Sequence, residues 1–225
     1  MSNNMRSEKD VKDVFHAYLV KNADFSGYYE MPKTEYCKEI PSGLICFSKA
    51  MYKDDFNSFV HFYEHDYKYE KLWNRPEKYI SRLKKFKGVI SPDFSLYRDM
   101  PLAMQIWNNY RNRVLCYYFS ANGIDVIPNV RFSDERSYEF CFEGIGKEGV
   151  ISVGTHGCIK RKEDKEYFKK GIDETIRRLS PKTIVVYGSV NNNIFENCIK
   201  SGVKILPFES EFSLSRKKVD SHGIG

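Results

Sequence analysis

Val150-Ile151-Ser152-Val153-Gly154-Thr155-His156 is the stretch from which the fold is read. A short run of apolar and small residues stops abruptly at a glycine, a hydroxyl and an imidazole. Four other segments between Gly88 and Ser210 take the same form: Val89-Ile90-Ser91-Pro92-Asp93, Val126-Ile127-Pro128-Asn129, Ile184-Val185-Val186-Tyr187-Gly188-Ser189 and Val203-Lys204-Ile205-Leu206-Pro207. β-Branched runs of this length suit strands buried on both faces, as in parallel sheets covered by helices. Ligands in such folds bind outside the carboxyl ends of the strands, so the polar residues closing each run are where chemistry is expected.

Three more strands are predicted, two before this series and one within it. Leu44-Ile45-Cys46-Phe47 follows Pro41-Ser42-Gly43, Phe59-Val60-His61-Phe62-Tyr63 ends at a polar triplet, and Tyr138-Glu139-Phe140-Cys141-Phe142 alternates. Helical spacing is found over Val11–Val20, around Leu72-Trp73, from Tyr79 to Phe86 behind Pro76, from Leu102 to a stop at Gly123, over Lys162–Leu179 and over Ile194–Lys200. Eight strands with these connections predict an α/β chain folded as a distorted or incomplete (β/α) barrel-like single domain with an N-terminal helical extension. An open Rossmann-like parallel sheet is the alternative. The expected boundaries are a helix and loop extension over 1–42, the α/β domain over 43–212 and a flexible tail over 213–225.

The formal net charge is +6, from 36 Lys and Arg against 30 Asp and Glu. That mild excess permits a nucleotide, a nucleic acid or another phosphorylated ligand without requiring one. Aromatic side chains make up 15% of the chain, enough to supply both a core and surfaces for stacking on bases. The six cysteines show no Cys-x-x-Cys spacing, and Cys46, Cys116, Cys141 and Cys198 lie in apolar runs, where a thiol is a small hydrophobe. The N-terminus is polar and no apolar run reaches membrane-spanning length. The expectation is a cytoplasmic protein with reduced thiols and no membrane partner.

Ser91-Pro92-Asp93-Phe94-Ser95-Leu96-Tyr97, then Asp99-Met100-Pro101, Gln105, Tyr110-Arg111-Asn112-Arg113 and Ile127-Pro128-Asn129-Val130, together resemble a family of uncharacterised domains from bacterial, phage and mobile-element genomes. Gly154-Thr155-His156-Gly157 and Tyr187-Gly188 are similar to its later motifs, so the resemblance spans roughly Leu44 to Glu209. It implies a bacterial or phage cytoplasmic protein. It carries no activity, cofactor or catalytic residue with it.

Asp93 is the first-choice functional carboxylate, placed at the mouth of a strand to act as acid, base or metal ligand; the competing reading is a turn aspartate after Pro92. Asn129 and Arg131, past the next strand, suit an anionic ligand, against a salt bridge from Arg131 to Asp134 or Glu135. In Gly154-Thr155-His156-Gly157 the glycines allow close backbone approach, the amides suit an anion, and His156 is a candidate general base. A tight turn with a surface histidine explains the same residues. Tyr187-Gly188-Ser189 lacks the downstream aspartates of a nucleotidyltransferase, and a strand-end turn with Asn191 or Asn192 as helix cap fits it better. Glu143 and Glu209 are expected to close strands and to face Asp93 as a second carboxylate. His61, His65 and Asp66 have no metal-ligand spacing, and no metal or cofactor is assigned. Arg111 and Arg113 point to different sides of one helix, and the charged helix from Lys162 reads as a solvated face. Two functions follow. One is an enzyme with Asp93, His156 and Glu143 as catalytic groups and Asn129, Arg131, Gly154, Thr155, Gly157, Tyr187 and Gly188 as ligand contacts. The other is a non-catalytic nucleotide- or partner-binding module using the same mouth.

Overall fold

The computed structural model describes residues 13, 15–35, 37 and 39–222. Chain order gives a small antiparallel hairpin, β1 (Phe25–Ser26) and β2 (Met31–Pro32), inside the expected N-terminal loop. Seven strands follow, all parallel to their neighbours: β3 (Leu44–Cys46), β4 (Phe59–His61), β5 (Gly88–Ile90), β6 (Val126–Ile127), β7 (Val150–Gly154), β8 (Thr183–Tyr187) and β9 (Lys204–Phe208). They form a four-stranded sheet, β3-β4-β5-β6, and a three-stranded sheet, β7-β8-β9. A parallel bridge between Asn129 and Ser152 joins the two, with Val130 N donating to Ser152 O and Ser152 N to Pro128 O. The protein is thus a mixed α/β fold built on parallel sheets.

Burial follows from sequence character. Every residue of β4, β5, β6, β7 and β8 is buried, as β-branched runs between covering layers must be. β9 is a half-exposed edge strand, where Pro207 leaves no ladder bond unmade. One apolar cluster draws on all seven strands: Phe59, Ile90, Ile127, Val150 and Val185, with Leu44, Leu206 and Phe208 packed against them. The sheets therefore curve so that their inner faces share a core. No ladder joins β9 to β3 among the described residues, so the sheet is not a closed barrel. The open edge is spanned instead by Lys49 Nζ and Glu211 Oε2 at 2.7 Å.

The helices are α1 (Phe47–Ala50), α2 (Glu70–Asn74), α3 (Glu77–Leu83), α4 (Leu102–Ala121), α5 (Lys162–Leu179), α6 (Asn192–Lys200) and α7 (Glu211–His222). Asn191 caps α6 as the sequence predicts, its side chain accepting from Asn193 N at 3.0 Å. Three expectations are corrected. The strand over Tyr138–Phe142 is absent: Glu135–Glu139 forms a 3-10 turn, held by Asp134 and Ser137, and only Glu139 of the following run is exposed. The helix over Val11–Val20 is a single 3-10 turn, Ala17–Val20, with His16 in the left-handed region before it; Val11, Lys12 and Val14 lie outside the described residues. The segment after Ser210 is the helix α7, which the sequence reading did not place.

α4 positions the site by an unexpected face. Its apolar residues Leu102, Ile106 and Tyr110 are half-buried, while Gln105, Asn108, Asn109, Asn112 and Arg113 turn fully inward. Asn112 clamps Phe94, accepting from its N at 2.9 Å and donating to its O at 3.2 Å. Asn108 donates to Ser95 O at 2.7 Å, and Gln105 links Met100 O to Ser133 Oγ. These amides satisfy buried backbone groups that no ladder reaches, and so fix the loops that follow β5 and β6.

Candidate functional site

A cleft of about 1330 Å³ opens at the carboxyl edge of the sheets. Each of the seven strands contributes to its lining at or just after its last residue: Cys46, Tyr63, Asp93, Arg131, Gly154, Tyr187 and Ser210. Of the residues singled out in the sequence, Asp93, Arg131, Gly154, His156, Gly157 and Tyr187 meet here. Asn129, Thr155 and Gly188 lie directly beneath.

Asp93 is the centre of the floor. Its Oδ1 accepts from Asn129 Nδ2 at 2.7 Å, and its Oδ2 lies 3.5 Å from Arg131 Nη1. The two side chains are 12% and 15% exposed, so both are held by the protein yet open to the cleft. Burial pushes the Asp93 carboxyl above its usual range against the opposing pull of Arg131 and Asn129, and the charge of Asp66 pushes the same way. The carboxylate in turn holds Arg131 firmly in its charged form. The expected salt bridge from Arg131 to Asp134 or Glu135 does not form: Asp134 pairs with Arg136, and Glu135 with Lys170.

A second ring of groups holds this pair. Tyr63 Oη lies 2.9 Å from Asn129 Oδ1 and 2.6 Å from Ser152 Oγ. Ser91 Oγ accepts from Asn129 N at 2.8 Å. Arg113, entirely buried, donates from Nη2 to Asn129 O at 2.7 Å. Asn129 is therefore gripped through its amide, carbonyl and side chain. Tyr63, Ser152 and Arg113 went unassigned in the sequence. The available signal was a lone hydroxyl inside a buried run, as at Ser91 and Ser152, because a buried polar group needs a partner.

The wall opposite is the turn after β7 and β8. Thr155 is buried, its Oγ1 donating to Ser189 O at 2.9 Å. Gly188 has φ +116°, and a Cβ there would stand 2.5 Å from Thr155 Oγ1. A Cβ on Gly154 would sit 2.8 Å from the Tyr63 ring. The two glycines thus let β7, β8 and Tyr63 close on one another. Cys158 follows in this turn, half-buried, with Arg131 Nη1 at 3.3 Å from its Sγ. His156 is exposed, its ring 6.0 Å from Phe212 of α7.

Glu143 is not part of the cleft. Its carboxylate accepts from Tyr28 N and Tyr29 N and anchors the β1-β2 hairpin, beside a separate cavity of about 560 Å³. The premise that it closes a strand fails with the strand itself. His61 is 1% exposed, and its Nδ1 accepts from Tyr63 N, so it is a buried neutral ring rather than a ligand. Asp66 borders the cleft and is spent on Ser95 N and Oγ and on Tyr69 Oη. Arg111 pairs with Glu70 and covers Phe94. Among the described residues no three His, Cys, Asp or Glu side chains group as metal ligands. All six cysteines are free, and only Cys158 is not buried. No helix among the described residues is long and apolar enough to cross a membrane.

Residues 23–208 match the model of the family described as a domain of unknown function, DUF4417. The chain is 32% identical over 170 residues to the Gene 1 protein of Mycobacterium phage L5, a match covering 74% of both chains. It is 30% identical over 166 residues to the Gene 1 protein of Mycobacterium phage D29, covering 72% of this chain and 62% of the phage protein. No solved structure matches.

Proposed function

Starting from the fact that the chain belongs to the DUF4417 family, with phage Gene 1 proteins among its relatives, we propose that it is a cytoplasmic enzyme acting on a nucleotide, nucleic acid or other phosphorylated ligand. The reaction takes place at the carboxyl ends of the strands of an open, barrel-like domain over 43–212. Asp93 is the proton-handling carboxylate, Arg131 and Asn129 orient it and the ligand, and the backbone from Gly154 to Gly157, with Gly188 below it, faces the anion. His156 stands at the rim as a second titratable group.

One observation carries this reading. A carboxyl whose burial favours its protonated form lies at the floor of an open cleft, held by an amide and a guanidinium. A carboxyl poised to hold a proton where a ligand sits is suited to general acid–base chemistry. The size of the cleft supports a large ligand, since pockets for small molecules run to roughly 300–1,000 Å³. The exposed rings of Tyr67, Tyr97 and Phe212 on its walls support a base-bearing one. Those same rings favour the second reading, a binding module without catalysis.

A thermal-shift screen of nucleotides and short oligonucleotides against native protein, Asp93→Asn and Arg131→Ala tests the site. A ligand at a hundredfold excess over Kd adds about 2.7 kcal/mol, and the melting shift is expected to vanish in Arg131→Ala. Mass spectrometry of the incubated ligand then separates the readings. Turnover by native protein but not by Asp93→Asn supports the enzyme; binding without turnover supports the module. A ligand that stabilises all three proteins equally overturns the site.

A further inference from the structure

Net charge in this chain has an address. Residues 68–87 contain eight Lys and Arg and two Glu, a net +6 that equals the charge of the whole chain, so the remainder balances to zero. The segment covers α2, α3 and the turn into β5. Its two acids are engaged, Glu70 by Arg111 and Glu77 by Tyr18 Oη. Lys68 pairs with Glu64, and Arg82 with Asp54. Arg75, Lys78, Lys84, Lys85 and Lys87 are exposed, with no carboxylate in ion-pair reach among the described residues.

The contrast lies within the same chain. α5 looks as basic in sequence, but Lys169 pairs with Asp173, Lys170 with Glu135, and Arg177 and Arg178 with Glu174. Four of its six cations are thus neutralised on their own surface, as its interleaved acids predict, while Lys162 and Lys165 at its start are exposed without an ion pair among the described residues. The α2–α3 flank is not neutralised. The acids that reach it from outside are Glu64, taken by Lys68, and Asp54, taken by Arg82. The stripe runs from the cleft, where Lys68 contributes to the lining, to the opposite edge of the sheet, where Lys87 precedes β5.

We propose that this flank, through Arg75, Lys78, Lys84, Lys85 and Lys87, is a binding surface for the phosphate backbone of a nucleic acid. A cluster of exposed, unpaired cations within residues 75–87 suits a row of phosphates, and release of the counterions condensed on the nucleic acid supplies the affinity. No large apolar side chain between Lys68 and Lys87 is exposed. Insertion into a lipid surface needs an apolar face, and an acidic protein partner needs an aromatic or aliphatic anchor, and residues 68–87 themselves expose neither; electrostatic attachment to anionic lipid alone is an outcome of the test. This surface goes beyond the cleft and stands whether or not Asp93 is catalytic; where both hold, a strand lying on it is led past Lys68 toward Asp93.

The test is fluorescence anisotropy of labelled duplex and single-stranded oligonucleotides over a salt series. Native protein is compared with Lys78→Gln/Lys84→Gln/Lys85→Gln/Lys87→Gln, and with a matched set of the paired α5 cations, Lys169→Gln/Lys170→Gln/Arg177→Gln/Arg178→Gln. Each phosphate contact contributes about 0.9 to the slope of log K against log salt on duplex and about 0.7 on single strands. The α3 set is therefore expected to flatten the duplex slope by about 3 to 4 and to weaken binding at least tenfold, with the α5 set close to native. Turnover in the cleft is read separately from anisotropy, so loss of oligonucleotide binding and loss of turnover are distinguishable. Absence of native binding at low salt, equal binding by the α3 set, or binding to phosphatidylserine vesicles without binding to oligonucleotides overturns the proposal.

Discussion

Tyr63 and Tyr187 lie face to face, ring centroids 4.9 Å apart and planes 11° from parallel. They follow β4 and end β8, strands separated by three others in the sheet order, so the contact crosses the concave side of the fold. Tyr63 also carries the hydroxyl between Asn129 and Ser152. One residue thus stacks across the mouth and holds the floor. Tyr63→Phe keeps the ring and leaves Asn129 Oδ1 without its donor, while Ser152 Oγ keeps Val185 O, a loss of about 1–3 kcal/mol. Tyr63→Ala removes the ring as well and is expected to cost about 3 kcal/mol or more. Urea unfolding gives both values. Equal loss in the two variants would show that the ring contact contributes nothing.

Three glycines in the adjoining turns separate packing from backbone strain. Gly154 has ordinary backbone geometry, but an added Cβ meets the Tyr63 ring at 2.8 Å. Gly157 has φ +82° and open space around it, while Gly188 has both a positive φ and Thr155 Oγ1 at 2.5 Å. Alanine at Gly157 is expected to cost only the strain of a left-handed residue, about 1–2 kcal/mol. Gly154→Ala carries an overpacking cost of about 1–3 kcal/mol, and Gly188→Ala both penalties together. Thermal melts should therefore rank Gly188→Ala as the least stable. If Gly157→Ala is the worst of the three, close packing of the mouth does not matter.

The parallel strands were legible because β-branched runs bounded by turn residues have few other uses, and seven of the eight expected strands are present. Asp93 and Arg131 were legible too, as polar residues at strand ends. Glu143 misled because Tyr138–Phe142 alternates in sequence, yet Phe140, Cys141 and Phe142 are all buried around a 3-10 turn. Local capping by Asp134 and Ser137 outweighed strand propensity. α4 was read by its apolar spacing, whereas Asn108, Asn112 and Arg113 face inward, since their task is to satisfy loop backbone. A helix pattern records hydrophobic burial and is blind to polar burial of this kind. The charged stripe escaped for a different reason: its cations are diluted by the apolar residues of α2 and α3, and only their lack of partners sets them apart.

His61 gives the chain an acid limit. Buried against Tyr187 with ring centroids 4.4 Å apart, it is held neutral by desolvation, its pKa lowered from 6.5 to about 3. The unfolded chain binds a proton below about pH 6.5, and the folded chain does not until about pH 3. The stabilising contribution is therefore complete above pH 6.5 and is lost as pH falls through that window, by up to about 1.4 kcal/mol per pH unit. His61→Asn places an uncharged acceptor near the position of Nδ1 and removes the titration. The difference in unfolding free energy between native protein and variant should shrink steadily from pH 6.5 down to pH 4. A difference that is flat across this range would mean that the imidazole is not held neutral by burial.

Cys158 reports on the cleft directly. Five of the six thiols are buried, including Cys46, which borders the cleft at 4% exposure, and Cys158 alone is half-exposed. Alkylation by iodoacetamide under native conditions should add one adduct, on Cys158, with Cys37 and Cys46, at 7% and 4% exposure, far slower; the three fully buried thiols should react only on unfolding. Arg131 Nη1 lies 3.3 Å from its sulfur, so a ligand that binds Arg131 must cover the thiol. Protection of Cys158 by the ligand found in the thermal screen, and loss of that protection in Arg131→Ala, would place the bound molecule over Asp93 without any assay of turnover. Unprotected alkylation at saturating ligand would put the ligand elsewhere.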